Sequence, residues 1–523
     1  MRSTMSTPEK TTRRLFKGER ARLWAVVVLC LLTRAVYVYH DGMPEPDSVM
    51  VAAGVALGAT GDVPFSETFL YGKQLNPGVF LFMRAAHDFL WHDPRHVADL
   101  MNWISVICAA LSVFPLYSLF RIHLPERAAW LCLVLWSFTP LVWESHTYFH
   151  PMIPATLFLL LALDAGCRAL ITARVRWGYA AGACACSAAA LITRTEIVFA
   201  APAILVFVWS AARKRRAISL LAVCLLFSVL IYALVVQATA GEMSTGTRSI
   251  GHFWDRYRAL YGMSYSLHGM PRSIAWAAAG LGLGSVVACV IACLRRPGQK
   301  KLLLVGGLLW ATPSLVFWLP YIVPILRHYY LSSIGITWLI GLTLLANMPR
   351  RHAMALVGAI ILFNLFPSEI AYRLYNRAHP AAVKTPHGTF FYGHETAKHD
   401  VKRLTGLRSS ALTCGRLENG KSGSIVLCRW DAYTNIIYGI ASQGANVRMV
   451  RKETLVPEVG FSHYTSDSAE VQLISFSYMQ DPSVRGRVEQ TMMNAWRAGS
   501  CVFVPRVVEP FDSLAGLTRV VYY

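Results

Sequence analysis

The sequence predicts an α-helical polytopic membrane protein of about 11 spans, each span needing about 20 mostly apolar residues, followed by a small extracytoplasmic α/β domain. Three observations carry this. The 523 residues are 55% hydrophobic and only 15% charged, against roughly a quarter charged in soluble globular chains. Long apolar runs recur as far as Phe366 and then stop. Basic residues collect in short segments between those runs, as a positive-inside topology distributes them.

A basic arm, residues 1–22, opens the chain with Lys10, Arg13, Arg14, Lys17, Arg20 and Arg22. The first span, 23–39, is followed by Tyr37, Tyr39 and His40 rather than by a small-residue cleavage site, so it reads as retained. Further spans are predicted at 100–120, 128–143, 152–171, 178–192, 197–212, 217–238, 274–293, 302–325, 329–347 and 353–366. With the arm in the cytosol, strict alternation brings Arg121 and Arg127, Arg174 and Arg176, Arg213 to Arg216, Arg295 to Lys301, and Arg350 with Arg351 to the same side. The opposite loops, 144–150, 193–196 and 327–328, lack Lys, and everything after Phe366 falls outside. Around Arg194 one kinked or re-entrant unit fits as well as two spans. Charge distributed this way makes the net +21 a topological signal and excludes a nucleic-acid partner.

The domain division is therefore a cytosolic arm (1–22), a membrane domain (23–367), a linker (368–412) and an extracytoplasmic α/β domain (413–523). Two outer loops of the membrane domain are long. Loop 40–99 mixes aromatic, Pro and charged residues, which suits helices lying along the interface. Loop 241–272 is rich in Gly, Met, Tyr and Arg, and loops of that length are more often functional than structural. In the C-terminal domain, strand-like runs at 424–428, 447–450, 471–476 and 501–504 alternate with helical stretches at 433–442 and 484–498. That order predicts a largely parallel sheet. Of the 12 cysteines, Cys414, Cys428 and Cys501 lie in this polar part, where a Cys414–Cys428 disulfide is one pairing that an extracytoplasmic location would allow and the odd count leaves open. The others sit in apolar runs as small buried hydrophobes. No CxxC or Cys/His spacing indicates zinc, no GxGxxG or P-loop indicates a nucleotide, and no internal repeat is visible.

Chemistry-bearing residues gather on the outer side. His40 to Ser48 holds Asp41, Glu45 and Asp47 in a segment stiffened by Pro44 and Pro46. Lys73 follows in the same loop. Glu144, His146 and His150 come from the next outer loop, Arg194 and Glu196 from the third, and Arg327 with His328 from a later one. Arg34 lies within the first span, where ionisable groups are costly and usually face a cavity. His146 and His150 are the residues a divalent metal would use, although Pro151 argues for a loop rather than one helix face; a metal ion is an optional cofactor, not an assigned one. A carboxylate base opposite Arg and Lys at the lipid boundary suits transfer from a lipid-linked phosphate. The cations would hold the leaving phosphate, and Asp47 would take the acceptor's proton.

These features in this order resemble polytopic glycosyltransferases of the GT-C superfamily, in the branch of protein O-mannosyltransferases and aminoarabinose transferases. The resemblance rests on the basic N-terminus, a first span ending Leu31-Leu32-Thr33-Arg34, and an acidic motif in a long first outer loop. It also rests on Lys73 before Asn76-Pro77, on Leu191-Ile192-Thr193-Arg194-Thr195-Glu196, and on Arg327-His328-Tyr329-Tyr330. It covers about Leu23 to Phe366. The resemblance implies inverting transfer of a hexose or pentose from a polyprenyl-phosphate donor, with Asp47 as catalytic base and Glu45 beside it. By the same resemblance Lys73, Arg194 and Arg327 are donor-phosphate candidates; from their place on the same outer face, His328 is a further phosphate candidate and Glu144, His146, Glu196 and Arg34 are candidates to line the acceptor or substrate. It places the chain in a cell membrane, bacterial inner membrane by expectation, among membrane lipids, with an acceptor that is protein, lipid or glycan. One departure stands out: relatives carry adjacent Asp-Glu or Asp-Asp, whereas Pro46 and Ser48 flank Asp47 here. A lipid-carrier flippase or transporter would place charges near mid-membrane and often show repeated halves. A glycan ligase using a diphosphate-linked donor would use more Arg on the second long loop, where Arg248, Arg256, Arg258 and Arg272 lie.

Overall fold

The computed structural model describes residues 17–40, 42–43, 46–59, 77–90, 92–170, 175–200, 203–204, 206–207, 214–239, 299–318, 326–362, 406–407, 410–442, 448–456, 459–476, 482–506, 508 and 510–523. The predicted span 274–293, loop 241–272 with its four arginines, and nearly all of linker 368–412 lie outside the described residues.

In chain order the helices are α1 (Lys17–Ala35), α2 (Pro46–Ala59), α3 (Pro77–Leu90), α4 (Val97–Leu111), α5 (Val113–His123), α6 (Glu126–Phe138), α7 (Pro140–Ser145), α8 (Met152–Leu170) and α9 (Trp177–Thr193). A 3₁₀ turn, Thr195–Ala200, precedes α10 (Lys214–Thr239), α11 (Gln299–Trp318) and α12 (Leu326–Ile340); α13 covers 350–362. Prolines set two of the breaks. Predicted span 100–120 is divided at Ser112, one turn ahead of Pro115, whose ring cannot coexist with a regular helical bond back to Leu111. Predicted span 128–143 is divided at Thr139, held extended (φ −62°, ψ 125°) by Pro140 after it. The predicted span 197–212 begins instead as the 3₁₀ turn.

The chain forms two compact units. One comprises residues 1–37 and 104–366, the other 38–103 and 367–523. In the first, a single apolar core runs from Leu23 through α5, α6, α8 and α12 to Val357. Helices α8 and α9 pack along each other, as do α11 and α12. Gly335 permits the second pairing, because a Cβ there would collide with the Ala311 backbone. The segments Pro94–His123 and Met152–Leu170 are long and apolar enough to cross a membrane. On α1, Trp24, Val28, Leu29 and Leu32 are exposed, as is Val36 just after it, and on α10 Leu225, Leu226, Val229, Leu230 and Leu234 are exposed. Contiguous apolar faces of this size suit lipid rather than water.

The second unit differs from the sequence-based division. The first outer loop, expected to belong to the membrane domain, packs with the C-terminal domain, made of β1 (Ser422–Arg429), α14 (Trp430–Ala441), β2 (Arg448–Val456), β3 (Val459–Thr465), β4 (Ala469–Phe476), α15 (Pro482–Arg497), β5 (Cys501–Val504) and β6 (Val520–Tyr522). The sheet order is β2-β3-β4-β1-β5-β6. Its β4-β1-β5-β6 half is parallel and its β2-β3-β4 half antiparallel, so the expectation of a largely parallel sheet holds for one half only. Central β1 reads as a continuous apolar run because both of its faces are covered. Ile425 and Leu427 meet Val488 and Met492 of α15, while α14 packs on β1 and β4.

The Cys414–Cys428 pairing is corrected. Cys414 is bonded to Cys501, and Cys428 is a buried thiol. Register explains this: Gly415 bridges Ser500 and Cys501 pairs with Ser424, which leaves Cys428 further along β1.

Candidate functional site

The polar interior of the first unit is built from two arginines and the two histidines of one buried loop. Arg34, in the last turn of α1, is 1% exposed. Its Nε donates to His146 Nδ1 at 3.0 Å and its Nη1 to Thr33 Oγ1 at 3.2 Å and the Cys30 carbonyl at 3.4 Å. Its Nη2 donates to the carbonyl of Ser137, near the end of α6. Because Nδ1 accepts, the neutral imidazole of His146 carries its proton on Nε2, which donates to Tyr330 Oη of α12 at 2.8 Å. Burial, and then the charge of Arg34, hold this imidazole well below its usual pKa, so it stays neutral. The rings of Trp136 and Tyr330 pack on it. Both nitrogens of His146 are engaged, and neither is left for a metal ion.

His150 sits at the other end of the same loop, just before α8, and is equally buried. The Met152 backbone N–H donates to its Nδ1 at 3.2 Å, capping α8 and fixing the Nε2–H tautomer of the neutral ring. Burial first and Arg194 second keep this imidazole well below its usual pKa. Helices α8 and α9 are joined through residues 171–176, and the Arg176 N–H reaches the Ala169 carbonyl at 3.1 Å. They therefore run antiparallel, and the start of α8 shares one end of the bundle with the end of α9. Arg194 caps α9 there in an extended conformation (φ −156°, ψ 117°), and its Nη2 donates to Glu196 Oε1. His150 Nε2 and Arg194 Nε are both buried and lack a hydrogen-bond partner among the described residues.

Of the other predicted residues, Asp47 lies in the first turn of α2, in the second unit. Ser48 beside it is fully buried, its hydroxyl unpartnered among the described residues. Helix α2 packs against α14 and α3. The stem of this loop is tied by Asn102, which donates to the carbonyls of Tyr39 at 2.9 Å and Gly42 at 3.2 Å. Tyr438 of α14 holds the far end, accepting from the Ala98 N–H at 3.0 Å and donating to the Arg95 carbonyl at 2.8 Å. Asn435 donates to the Met43 carbonyl at 3.3 Å. Arg327 and His328 begin α12 and Glu144 lies in α7; only their backbones are described. Glu45 and Lys73 lie outside the described residues. The structure thus brings Arg34 to His146, and Arg194 to Glu196 and His150, within one unit, and places Asp47 in the other. Tyr330, which closes the Arg327-His328-Tyr329-Tyr330 stretch, joins this network although its sequence position alone does not mark it as a site residue.

Residues 95–238 match the family described as dolichyl-phosphate-mannose-protein mannosyltransferase. That segment contains His146, His150, Arg194 and Glu196. No curated protein matches the chain by sequence. Among solved structures, ArnT from Cupriavidus metallidurans bound to undecaprenyl phosphate aligns with 12% identity and a TM-score of 0.47, over 80% of this chain and 84% of that one. The oligosaccharyltransferase AglB from Archaeoglobus fulgidus, in complex with an inhibitory peptide and a dolichol-phosphate, aligns with 11% identity and a TM-score of 0.38, over 81% of this chain and 64% of that one. Residues 95–238, about a quarter of the chain, are thus similar in sequence to that mannosyltransferase family.

Proposed function

We propose that this protein transfers a sugar from a polyprenyl-phosphate donor to an acceptor hydroxyl at the outer face of the membrane, with inversion at the anomeric carbon. The observation that carries the reading is the buried Arg194, paired with the half-buried Glu196 and with its Nε unpartnered among the described residues, at one end of the α8–α9 hairpin inside the mannosyltransferase-matching segment. A buried cation with spare donors suits an anionic group that enters from the bilayer. Asp47, in the first turn of α2, lies where a helix dipole favours an ionised carboxylate, the form a general base must have.

In the proposed step Asp47 accepts the proton of the acceptor hydroxyl while that oxygen attacks the anomeric carbon. The bond from that carbon to the phosphate oxygen breaks, and its electron pair leaves with the polyprenyl phosphate. Arg194, with Lys73, Arg327 and His328 as further donors, holds the charge that develops on the leaving oxygen. The Cys414–Cys501 disulfide supports an oxidising compartment, and so an outer location, for the C-terminal domain. Removal of a general base costs typically 10²–10⁴-fold. Asp47→Asn should therefore reduce transfer from a radiolabelled polyprenyl-phosphate sugar by about that factor, with expression and monodispersity retained. Wild-type turnover in that variant would overturn the assignment.

A further inference from the structure

We infer that His150 and Arg194 together form a two-donor seat for a phosphate oxygen, His150 supplying a neutral N–H and Arg194 the charge. Four observations meet at this corner. His150 is 2% and Arg194 6% exposed, so neither reaches bulk water. The Met152 N–H occupies His150 Nδ1, and the ring therefore turns its one remaining hydrogen, on Nε2, to an acceptor that the described residues do not supply. Arg194 Nη2 is committed to Glu196, while its Nε–H is likewise buried and unpartnered. His150 stands just before the positive end of the 19-residue helix α8, the 3₁₀ turn after Arg194 packs on that helix, and Arg194 lies near enough for its charge to act on His150. One turn into α8, the Thr156 hydroxyl is also buried and unpartnered.

A buried donor left unpaired is destabilising, so two at one corner define a place for an acceptor. Both donors are N–H groups, His150 stands just before a helix N-terminus, where the dipole favours an anion, and the Glu196 carboxylate offsets part of the Arg194 charge. The matching ligand is therefore an oxyanion, and phosphate oxygens fit the pair better than a sugar hydroxyl, which brings no charge. His146 in the same loop cannot play this part, since both its nitrogens are engaged. The identity of the phosphate as that of the lipid carrier rests on the proposed glycosyl transfer; the seat itself does not.

Two substitutions separate the donor from the cap. In His150→Asn the amide oxygen falls near the position of Nδ1 and still accepts from Met152, but nothing replaces Nε2–H. In His150→Gln a donor reaches the Nε2 position. Binding is read on the full-length protein in nanodiscs with undecaprenyl phosphate, with neutral undecaprenol and inorganic phosphate as parallel probes. A hydrogen bond to a charged group predicts about a tenfold or greater loss of undecaprenyl phosphate affinity in His150→Asn, near-wild-type affinity in His150→Gln, and no change toward undecaprenol. The His150→Asn loss should largely vanish in an Arg194→Gln background, because the two donors share one ligand. Unchanged affinity in His150→Asn, or an equal loss toward undecaprenol, overturns the seat even if Arg194→Gln alone weakens binding, and leaves the transferase reading standing. Conversely, a His150-dependent affinity for inorganic phosphate without any for undecaprenyl phosphate supports the seat and overturns the lipid donor. A wild-type protein that binds neither phosphate overturns the seat.

Discussion

The corners built on Arg34 and Arg194 use the same pair of side chains for opposite ends. At the first, the guanidinium donates to a histidine, a hydroxyl and two carbonyls, and the histidine passes its own proton to Tyr330. That network ties α1, α6, the buried loop and α12 together. At the second, Arg194 meets one carboxylate and keeps Nε unpartnered among the described residues, as His150 keeps Nε2. A buried arginine is thus not in itself a binding site. What separates structure from function is whether its donors, and those of its neighbours, are already matched.

If the first corner is structural, breaking it should produce the largest loss of stability. Arg34→Ala removes the donor from His146 Nδ1 and from the Ser137 carbonyl, while Thr33 still donates to the Cys30 carbonyl; each buried acceptor left unpaired costs about 1–3 kcal/mol. Thermal unfolding in detergent should show a clear drop in Tm, with Arg34→Lys recovering only part of it because one ammonium cannot reproduce the planar fork. An unchanged Tm would erase the distinction between the two corners.

Acid should weaken both corners, less steeply. His146 and His150 are held neutral when folded, with pKa values well below the ordinary one. In the unfolded chain each takes up a proton near pH 6.5. Stability is therefore fully present above about pH 6.5 and is lost progressively below it, at up to about 1.4 kcal/mol per pH unit for each imidazole. A Tm series from pH 7.5 to 5 reads this. His150→Gln should remove about half of the slope and show which share belongs to the open corner; a flat series would contradict the buried neutral state of both rings.

Much of this was legible in the sequence, for reasons that can be named. Apolar runs and clustered basic residues located the helices, since burial and lipid contact demand them, and Pro115 and Pro140 explain where two predicted spans break. The C-terminal strands 424–428, 471–476 and 501–504 were visible as short apolar runs. Strand β3 was not, because Gly460, Ser462 and His463 dilute its pattern. The Cys414–Cys501 bond depends on strand register, which spacing does not encode. Arg34, His146, Arg194 and Glu196 stood out as ionisable groups at membrane depth. Which of their donors remain unmatched is a matter of side-chain geometry, and the composition of the chain carries no trace of it. Nor did the sequence reveal that loop 40–99 folds with a domain more than 300 residues downstream (Tyr438 bonds across 340 positions to Ala98).

That last contact offers the smallest and most local test of the same distinction. The Tyr438 hydroxyl is matched on both sides, by the Ala98 N–H and the Arg95 carbonyl, so it belongs with the Arg34 type of group. Tyr438→Phe removes two ordinary hydrogen bonds and leaves one buried N–H unpaired, a loss of about 1–3 kcal/mol. The sheet core, Ile425, Leu427, Val502 and Val504 against α15, shares no partner with that hydroxyl and should keep its protection from hydrogen exchange. Faster exchange should appear around Arg95 and Ala98 and along α2, which packs on the same helix and carries Asp47. If exchange instead rises uniformly through the second unit, Tyr438 contributes only to global stability. A local rise accompanied by slower sugar transfer at unchanged donor affinity would identify the C-terminal domain as the support that holds the Asp47 helix in place.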